Sequence, residues 1–337
     1  MPDKNQPSPS EILAKKYFDQ AETLFGSGGK TPDYAKAAEL YRKSANLGYT
    51  PAVYSLGVCY LRGMGVKRDE KRAYELITEA AEQGNLDAEF TLGHFYFEGS
   101  VVECDYEKAA RIFKKAADLN HPGGLNDLGF CYQRGLGVER DYEKAFECFI
   151  RAADLDFAAA MNNAGDCYNF GRGVKADYEK AYMYYLRAAE SGYPIAQNNV
   201  GMCYLNGRGV KLDAKKAVEW FDLACKHGNP VAIANLGFCY ETGRGVEKNP
   251  EYAVKLYKIA ADAHNAPGMY NLAKALRDGV GIERDEKRAF ELFKQAADLE
   301  FAVAYRDLAD CYERGIGTEP DAELAAKYAK MAESTPL

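Results

Sequence analysis

The sequence lacks the features that mark exported, membrane-spanning and metal-binding proteins. Its amino terminus has no basic segment followed by an apolar stretch, and no window approaches about eighteen uninterrupted apolar residues, so we expect neither an export signal nor a membrane span. Four scattered histidines, with no H-x-x-x-H or C-x-x-C spacing, predict no bound metal. Nine cysteines are sparse for this length and no N-x-S/T sequon occurs, so we expect a cytoplasmic, reducing location.

An excess of basic residues is also missing. The 43 Lys and Arg are outnumbered by 50 Asp and Glu, giving a formal net charge of -7. A protein that binds the phosphate backbone would need a dense Lys/Arg surface, so we expect no nucleic-acid partner. With 337 residues and 47% hydrophobic content, the chain is long enough to bury a large core.

What the sequence does contain is a period of 36 residues. A Leu-Gly type dipeptide recurs at Leu56, Leu92, Leu128, Ala164, Val200, Leu236, Leu272 and Leu308. A loop glycine follows the same period at Gly63, Gly99, Gly135, Gly171, Gly207, Gly243, Gly279 and Gly315. The loop GRGVKA at 171–176 fits the loose dinucleotide-binding fingerprint G-x-G-x-x-G/A. Because such loops recur eight times after helical patterns, and never after a strand, we interpret them as turns without a bound cofactor.

Each period predicts a helical hairpin. In residues 49–84, Ala52, Leu56 and Cys59 share one face of a first helix, and a second apolar helical pattern follows Asp69. Residues able to cap that second helix recur at Asp33, Asp69, Asp105, Asp141, Asp177, Asp213, Asn249, Asp285 and Asp321. The glycine pair lets the chain reverse between the helices, although GSVV at 99–102 lacks the second glycine, so we expect a strained or different turn there.

Two further columns predict the packing inside each hairpin. Glycines such as Gly57 and Gly201 on the first helix allow close approach of the second helix, whose large residues fill the space. Six cysteines share one first-helix column, and we expect them to be small buried packing residues, since equivalent positions lie about 10 Å apart, too far for disulfides. They are Cys59, Cys131, Cys167, Cys203, Cys239 and Cys311.

The frame A-x-x-x-L-G-x-x-Y-x-x-G-x-G-V-x-x-D-x-x-K-A closely resembles the Sel-one-like repeat, a relative of the tetratricopeptide repeat; AQNNVGMCYLNGRGVKLDAKKA (196–217) is one copy. The resemblance covers nearly the whole chain. It implies an all-α fold, a right-handed superhelix (solenoid) of about nine helix-turn-helix hairpins of 36 residues. It also implies a scaffold or adaptor in protein assemblies without catalytic residues of its own.

The repeat frame divides the chain into four segments. We expect a disordered tail at 1–7, an atypical capping repeat at 8–48, eight repeats in one continuous solenoid at 49–334, and a tail at 335–337. Ser8 and Glu11 have the spacing of a capping box, with Pro9 at the first helical position, so ordered structure should begin there.

A binding surface can be assigned from the helical period. First-helix positions opposite the core are equivalent to Tyr54, Val58 and Leu61, and those of Ser55 and Arg62 flank them. In tetratricopeptide-like solenoids this face lines the concave groove, and we expect a partner to bind there. Asparagines in this groove could hold the backbone of an extended peptide, or could satisfy neighbouring groups between helices. We expect Asn162 and Asn198 to point most directly outward and to contact ligand. The candidate residues are Tyr54, Phe90, Asn126, Phe130, Asn162, Asn163, Asp166, Phe170, Asn198, Asn199, Met202, Asn235, Phe238, Tyr270, Asn271, Lys274 and Arg306.

The predicted function is non-enzymatic binding of protein or peptide partners by a monomer. Carboxylates on the second helices recur with the repeat beside Lys or Arg, as in DYEKA, which indicates a solvated surface and not an acid/base pair. An alternative is a regulatory subunit or a degradation-complex adaptor. A small-molecule sensor or an enzyme would need a unique loop that breaks the period, and the unbroken spacing of the eight repeats argues against one.

Overall fold

The computed structural model describes residues 7–26 and 31–335, and within those ranges the chain forms eighteen α-helices and no β-strand. Most of the predicted tails, residues 1–6 and 336–337, lie outside the described residues. The helices are α1 Pro9–Gly26, α2 Tyr34–Ala45, α3 Thr50–Arg62, α4 Glu70–Glu82, α5 Leu86–Glu98, α6 Tyr106–Asp118, α7 Pro122–Arg134, α8 Tyr142–Asp154, α9 Ala158–Phe170, α10 Tyr178–Glu190, α11 Pro194–Asn206, α12 Ala214–Lys226, α13 Pro230–Thr242, α14 Pro250–Asp262, α15 Ala266–Asp278, α16 Glu286–Asp298, α17 Ala302–Arg314 and α18 Ala322–Ser334.

The chain consists of two compact units. Residues 1–157 form the first, with hairpins α1/α2, α3/α4, α5/α6 and α7/α8, and residues 158–337 form the second, with five hairpins from α9/α10 to α17/α18. Within each unit, every hairpin packs against the next one along the chain. The prediction of an all-α chain of nine hairpins is therefore confirmed. The division into a capping repeat at 8–48 and eight repeats at 49–334 stays a prediction.

Side-chain caps start the second helix of every hairpin. Asp213, for example, accepts a hydrogen bond from the backbone N–H of Lys216, and Asn249 caps α14 in the same way through Tyr252. All nine predicted caps make this bond, which satisfies an otherwise unpaired N–H at the positive end of the helix. The predicted capping box at α1 also forms, because Ser8 and Glu11 each bond to the backbone N–H of the other.

Within a unit, the second glycine of a turn lies against the preceding hairpin. Gly209 has a φ of +70°, and a Cβ atom there would lie 1.9 Å from the carbonyl oxygen of Tyr178, at the start of the preceding hairpin's second helix. No side chain fits that gap. Val101 stands at the equivalent position in the first unit, and it avoids the left-handed region and packs on the hydrophobic cluster around Phe95. The turn at 99–102 therefore differs from the others.

The core of each hairpin combines a small residue on one helix with a large one on the other. A Cβ atom on Gly201 would lie 2.5 Å from the ring of Phe221, which is fully buried. The six cysteines of the first-helix column are buried and free, as predicted, and burial raises the pKa of the Cys131 and Cys167 thiols to about 12. They act as small apolar packing residues.

Candidate functional site

In each unit, the outward positions of the first helices form a surface, which we call the first-helix face, and candidate residues lie on it. In the first unit, Tyr54 shares a hydrogen bond of 3.2 Å with the Thr91 hydroxyl of the next first helix. Phe90 is half-buried, with its ring 4.6 Å from that of His121 and 5.8 Å from that of Phe113. Asn126 donates to the adjacent Asp127 at 3.0 Å. Tyr54 and Phe90 thus contact residues of neighbouring helices, whereas the hydrogen bond from Asn126 to Asp127 lies within α7. Phe130, also half-buried, lies beneath the Arg134 guanidinium, 5.6 Å from it.

The asparagines of the second unit form a ladder between first helices. Asn199 donates to the Asn162 side-chain oxygen at 2.9 Å, and Asn235 donates to that of Asn198 at 2.8 Å. Asn162 is 4% exposed and Asn198 is 7% exposed, so the expectation that these two point most directly outward is wrong. Their column lies in the seam between adjacent first helices, where a buried amide needs a protein partner. Ala234, in the same column, is 1% exposed.

Four candidate residues meet around one pocket of 210 Å³ between α9 and α11, which we call the anchor pocket. Met202 and the exposed ring of Phe170 supply apolar surface, while Asp166 and Asn199 supply polar atoms. The remaining lining residues are Asn169, Tyr185, Cys203, Asn206 and Arg208. A small apolar pocket with a few convergent polar groups suits a single side chain of a bound partner.

The acidic group of the anchor pocket is held from within the hairpin. Tyr185 donates its hydroxyl to Asp166 at 2.6 Å. Burial raises the pKa of the Asp166 carboxyl, while the hydrogen bond from Tyr185 and the charge of Arg172 act in the opposite direction. Burial also raises the pKa of the Tyr185 hydroxyl, and Asp166 adds to that increase. Asp166 is therefore half-buried, lines the anchor pocket and is held in place by one hydrogen bond from within its own hairpin.

The other candidate residues lie further along the second unit. Phe238 and Tyr270 are half-buried, and Lys274 lies 5.8 Å from the Tyr270 ring. Tyr270 also donates to Asp307 of the next first helix at 2.9 Å. The structure leaves Arg306 exposed and Asn163 and Asn271 half-buried. None of these residues lines the anchor pocket.

Sequence reasoning missed two kinds of residue at this site. Tyr185 belongs to the column of large core residues, and nothing in that column alone indicates that its hydroxyl reaches the first-helix face. Arg208 lies in a turn that we interpreted only as a chain reversal. The repetition of GRGV at 171–174, 207–210 and 243–246 was the available signal.

Among the described residues, no three or more His, Cys, Asp or Glu side chains are grouped so as to hold a metal ion. No helix in the same part of the chain is both long enough and apolar enough to cross a membrane.

Solved structures with a similar fold are repeat proteins. The uropathogenic Escherichia coli protein c5321, described as a protective antigen with an SLR fold, is 28% identical over 97% of this chain and 79% of its own, with a TM-score of 0.61. A Sel1 repeat protein from Oxalobacter formigenes is 29% identical over 74% of this chain and 99% of its own, with a TM-score of 0.63. A Pyrococcus horikoshii signal-transduction ATPase with a tetratricopeptide repeat sensor shares the fold alone, at 14% identity and a TM-score of 0.54 over 98% of this chain and 54% of its own.

The family comparison covers the hairpins one by one. Among curated proteins, none matches the sequence. The Sel1 repeat profile matches nine successive segments, at 21–49, 50–85, 86–121, 122–157, 158–193, 194–229, 230–265, 266–301 and 302–334. Proteins built from this repeat generally mediate protein–protein interactions and are typically not enzymes. On the nine matched segments and the hairpins they form, the chain belongs to the Sel1 repeat family.

Proposed function

We propose that this protein is a non-enzymatic scaffold or adaptor that binds a peptide or protein partner on its first-helix face, with the anchor pocket receiving one apolar side chain. The observation that carries the proposal is the anchor pocket itself, because it brings Asp166, Phe170, Asn199 and Met202 together on the surface that the repeat leaves outward. The resemblance to tetratricopeptide-like solenoids implies that this surface is concave.

The chemistry of the face supports recognition and not catalysis. Among the residues that line the anchor pocket, Asp166 is accompanied by neither a histidine nor a second carboxylate, so the pocket holds no acid/base pair. The ladder asparagines are engaged with one another, which fixes the spacing of the first helices and keeps the face rigid. A rigid surface loses little conformational entropy on binding, which favours affinity.

The test is a selection of peptides from a random display library against the full chain, followed by affinity measurements on two variants. Met202→Trp fills the anchor pocket, and Met183→Trp is the matched control, since Met183 is 61% exposed on the second helix α10. We expect Met202→Trp to raise the Kd of the selected peptides by about tenfold or more, because a buried anchor residue typically contributes over 1 kcal/mol.

Met183→Trp should leave the Kd within about twofold. Circular dichroism of both variants checks that they fold. Peptides that bind Met202→Trp as tightly as the unmodified chain would contradict the assignment of the pocket, and so would a selection that yields no pocket-dependent peptide.

A further inference from the structure

Three consecutive turns of the second unit carry the same arginine. Arg172, Arg208 and Arg244 each stand between the two glycines of a GRGV turn, in the hairpins that begin with α9, α11 and α13. We call these three residues the arginine row. The corresponding position in the next two turns is Val280 and Ile316, so the row ends within the unit.

Aromatic rings orient the arginine row along the edge of the first-helix face. The Arg172 guanidinium lies 4.9 Å from the ring centroid of Phe170, and the Arg244 guanidinium lies 5.4 Å from the ring centroid of Phe238. The Arg208 guanidinium lies 5.6 Å from the Tyr178 ring, and its side chain also lines the anchor pocket. A guanidinium stacked on a ring keeps its N–H groups available in plane, so each arginine is pre-oriented to bind a planar anion.

None of these arginines forms an ion pair with a side chain in the described part of the chain. All three are exposed, and no carboxylate oxygen of the described residues lies within 4.0 Å of their guanidinium nitrogens. The nearby Asp166 of α9 and Glu241 of α13 each accept a hydrogen bond from a tyrosine, at 2.6 Å and 2.5 Å, and Asp166 also feels the charge of Arg172 without forming an ion pair with it. This edge is therefore a positive strip on a chain whose formal net charge is -7.

We propose that the arginine row binds the carboxylates of an acidic segment of a partner protein that lies along the first-helix face. The inference rests on the proposed function and adds the charge of the partner. Successive first helices pack about 10 Å apart, and an extended peptide advances about 3.3 Å per residue. An Asp or Glu at every third residue therefore matches the spacing of the row. Each arginine can form a bidentate pair with one carboxylate.

A nucleic acid fits the strip less well. It offers a continuous line of phosphates that rewards many cations, whereas the row supplies three on an acidic chain. Carboxylates of a short peptide match a short row. The partner we propose is thus an acidic protein segment, and single-stranded DNA is the competing ligand in the test.

The test measures fluorescence anisotropy of a fluorescein-labelled peptide with Glu at every third position, Ser and Gly between, and one central Phe. The full chain is compared with Arg172→Gln/Arg208→Gln/Arg244→Gln. The matched control, Lys215→Gln/Lys255→Gln/Lys294→Gln, removes the same charge from exposed positions on the second helices α12, α14 and α16. We expect the arginine variant to raise the Kd by about tenfold and the lysine variant to raise it by less than about twofold, since three exposed ion pairs together contribute roughly this much.

A second comparison tests the spacing. A peptide of the same composition with its glutamates contiguous should bind more weakly than the spaced one, and a Gln-for-Glu peptide should lose most of its affinity. Equal losses in the two triple variants would overturn the proposal, because they would show that only net charge matters. Absence of binding to the spaced peptide, or tighter arginine-dependent binding of single-stranded DNA, would also overturn it. If Met202→Trp still weakens library-selected peptides in that case, the proposed function stands and this inference alone fails.

Discussion

Replacing Gly209 with alanine should separate the cost of a strained backbone from the cost of pushing two hairpins apart. The added Cβ would lie 1.9 Å from the carbonyl oxygen of Tyr178, and the residue would keep a φ of +70°. Gly228 is the matched position, because its φ is +75° and nothing lies within 4 Å of a Cβ there. Gly228→Ala therefore introduces backbone strain only, whereas Gly209→Ala introduces strain and a collision with the preceding hairpin.

The two costs can be estimated. A left-handed conformation costs an L-residue about 1–2 kcal/mol, partly offset by about 0.4–1 kcal/mol because alanine reduces the freedom of the unfolded chain. Gly228→Ala should thus lower the free energy of unfolding by about 1 kcal/mol. At Gly209, relieving the overlap requires the turn to move by about an ångström or more, at a further cost of about 1–3 kcal/mol. Gly209→Ala should therefore lower the free energy of unfolding by about 2–4 kcal/mol.

Urea unfolding of the full chain, followed by far-ultraviolet circular dichroism, measures both losses. Because a repeat protein can unfold in more than one step, amide hydrogen exchange in α10 and α12 should be measured as well. We expect Gly209→Ala to accelerate this exchange more than Gly228→Ala does. Equal losses for the two variants would refute the reasoning that the second glycine determines how hairpins stack.

Two further outcomes follow from side-chain pairs. Asn198→Ala should lower the free energy of unfolding by about 1–2 kcal/mol, because it leaves the Asn235 amide without its acceptor. Asn271→Ala should lower it by less, since the Asn271 side chain makes no hydrogen bond to the described residues. Thermal melts that rank the two variants in the reverse order would contradict the structural role of the ladder. The hydrogen bond of 3.1 Å to Asp127 raises the pKa of His94 above its ordinary 6.5, so the pair stabilises the fold fully below that pH and loses its contribution as pH rises through the folded-state pKa. Asp127→Asn should therefore lower the free energy of unfolding at about pH 5.5 and leave it almost unchanged at about pH 8.5. The loss should not exceed about 1 kcal/mol, because His94 is 37% exposed. A loss that does not depend on pH would contradict the pairing.

The hairpins and their caps could be predicted from the sequence because their causes are local. Each helix follows from features that act within a few residues of one another. These are an apolar stripe with helical period, a carboxylate such as Asp213 that caps the start of the helix, and a glycine such as Gly207 that ends the preceding helix. Their recurrence every 36 residues removed the ambiguity that a single copy would leave. The packing of Gly201 against Phe221 followed from the same register.

The candidate site was predicted less completely because its geometry depends on neighbouring hairpins. A helical wheel places Asn198 on the outer face, but it does not contain the next first helix, which covers that side chain and supplies Asn235 as a partner. The wheel also cannot show that Tyr185 reaches Asp166, or that Arg172 stacks on Phe170. Each of these contacts joins two different positions of the repeat, and the 36-residue period gives no distance between such positions.

Hydrogen–deuterium exchange of the full chain, with and without a library-selected peptide, locates the surface that the peptide covers. We expect slower exchange on binding in α9, α11 and the turns at 171–174 and 207–210, which contain the anchor pocket and the first two arginines of the row. Slower exchange confined to the second helices, with α9 and α11 unchanged, would contradict the claim that the first-helix face is the surface that recognises the partner.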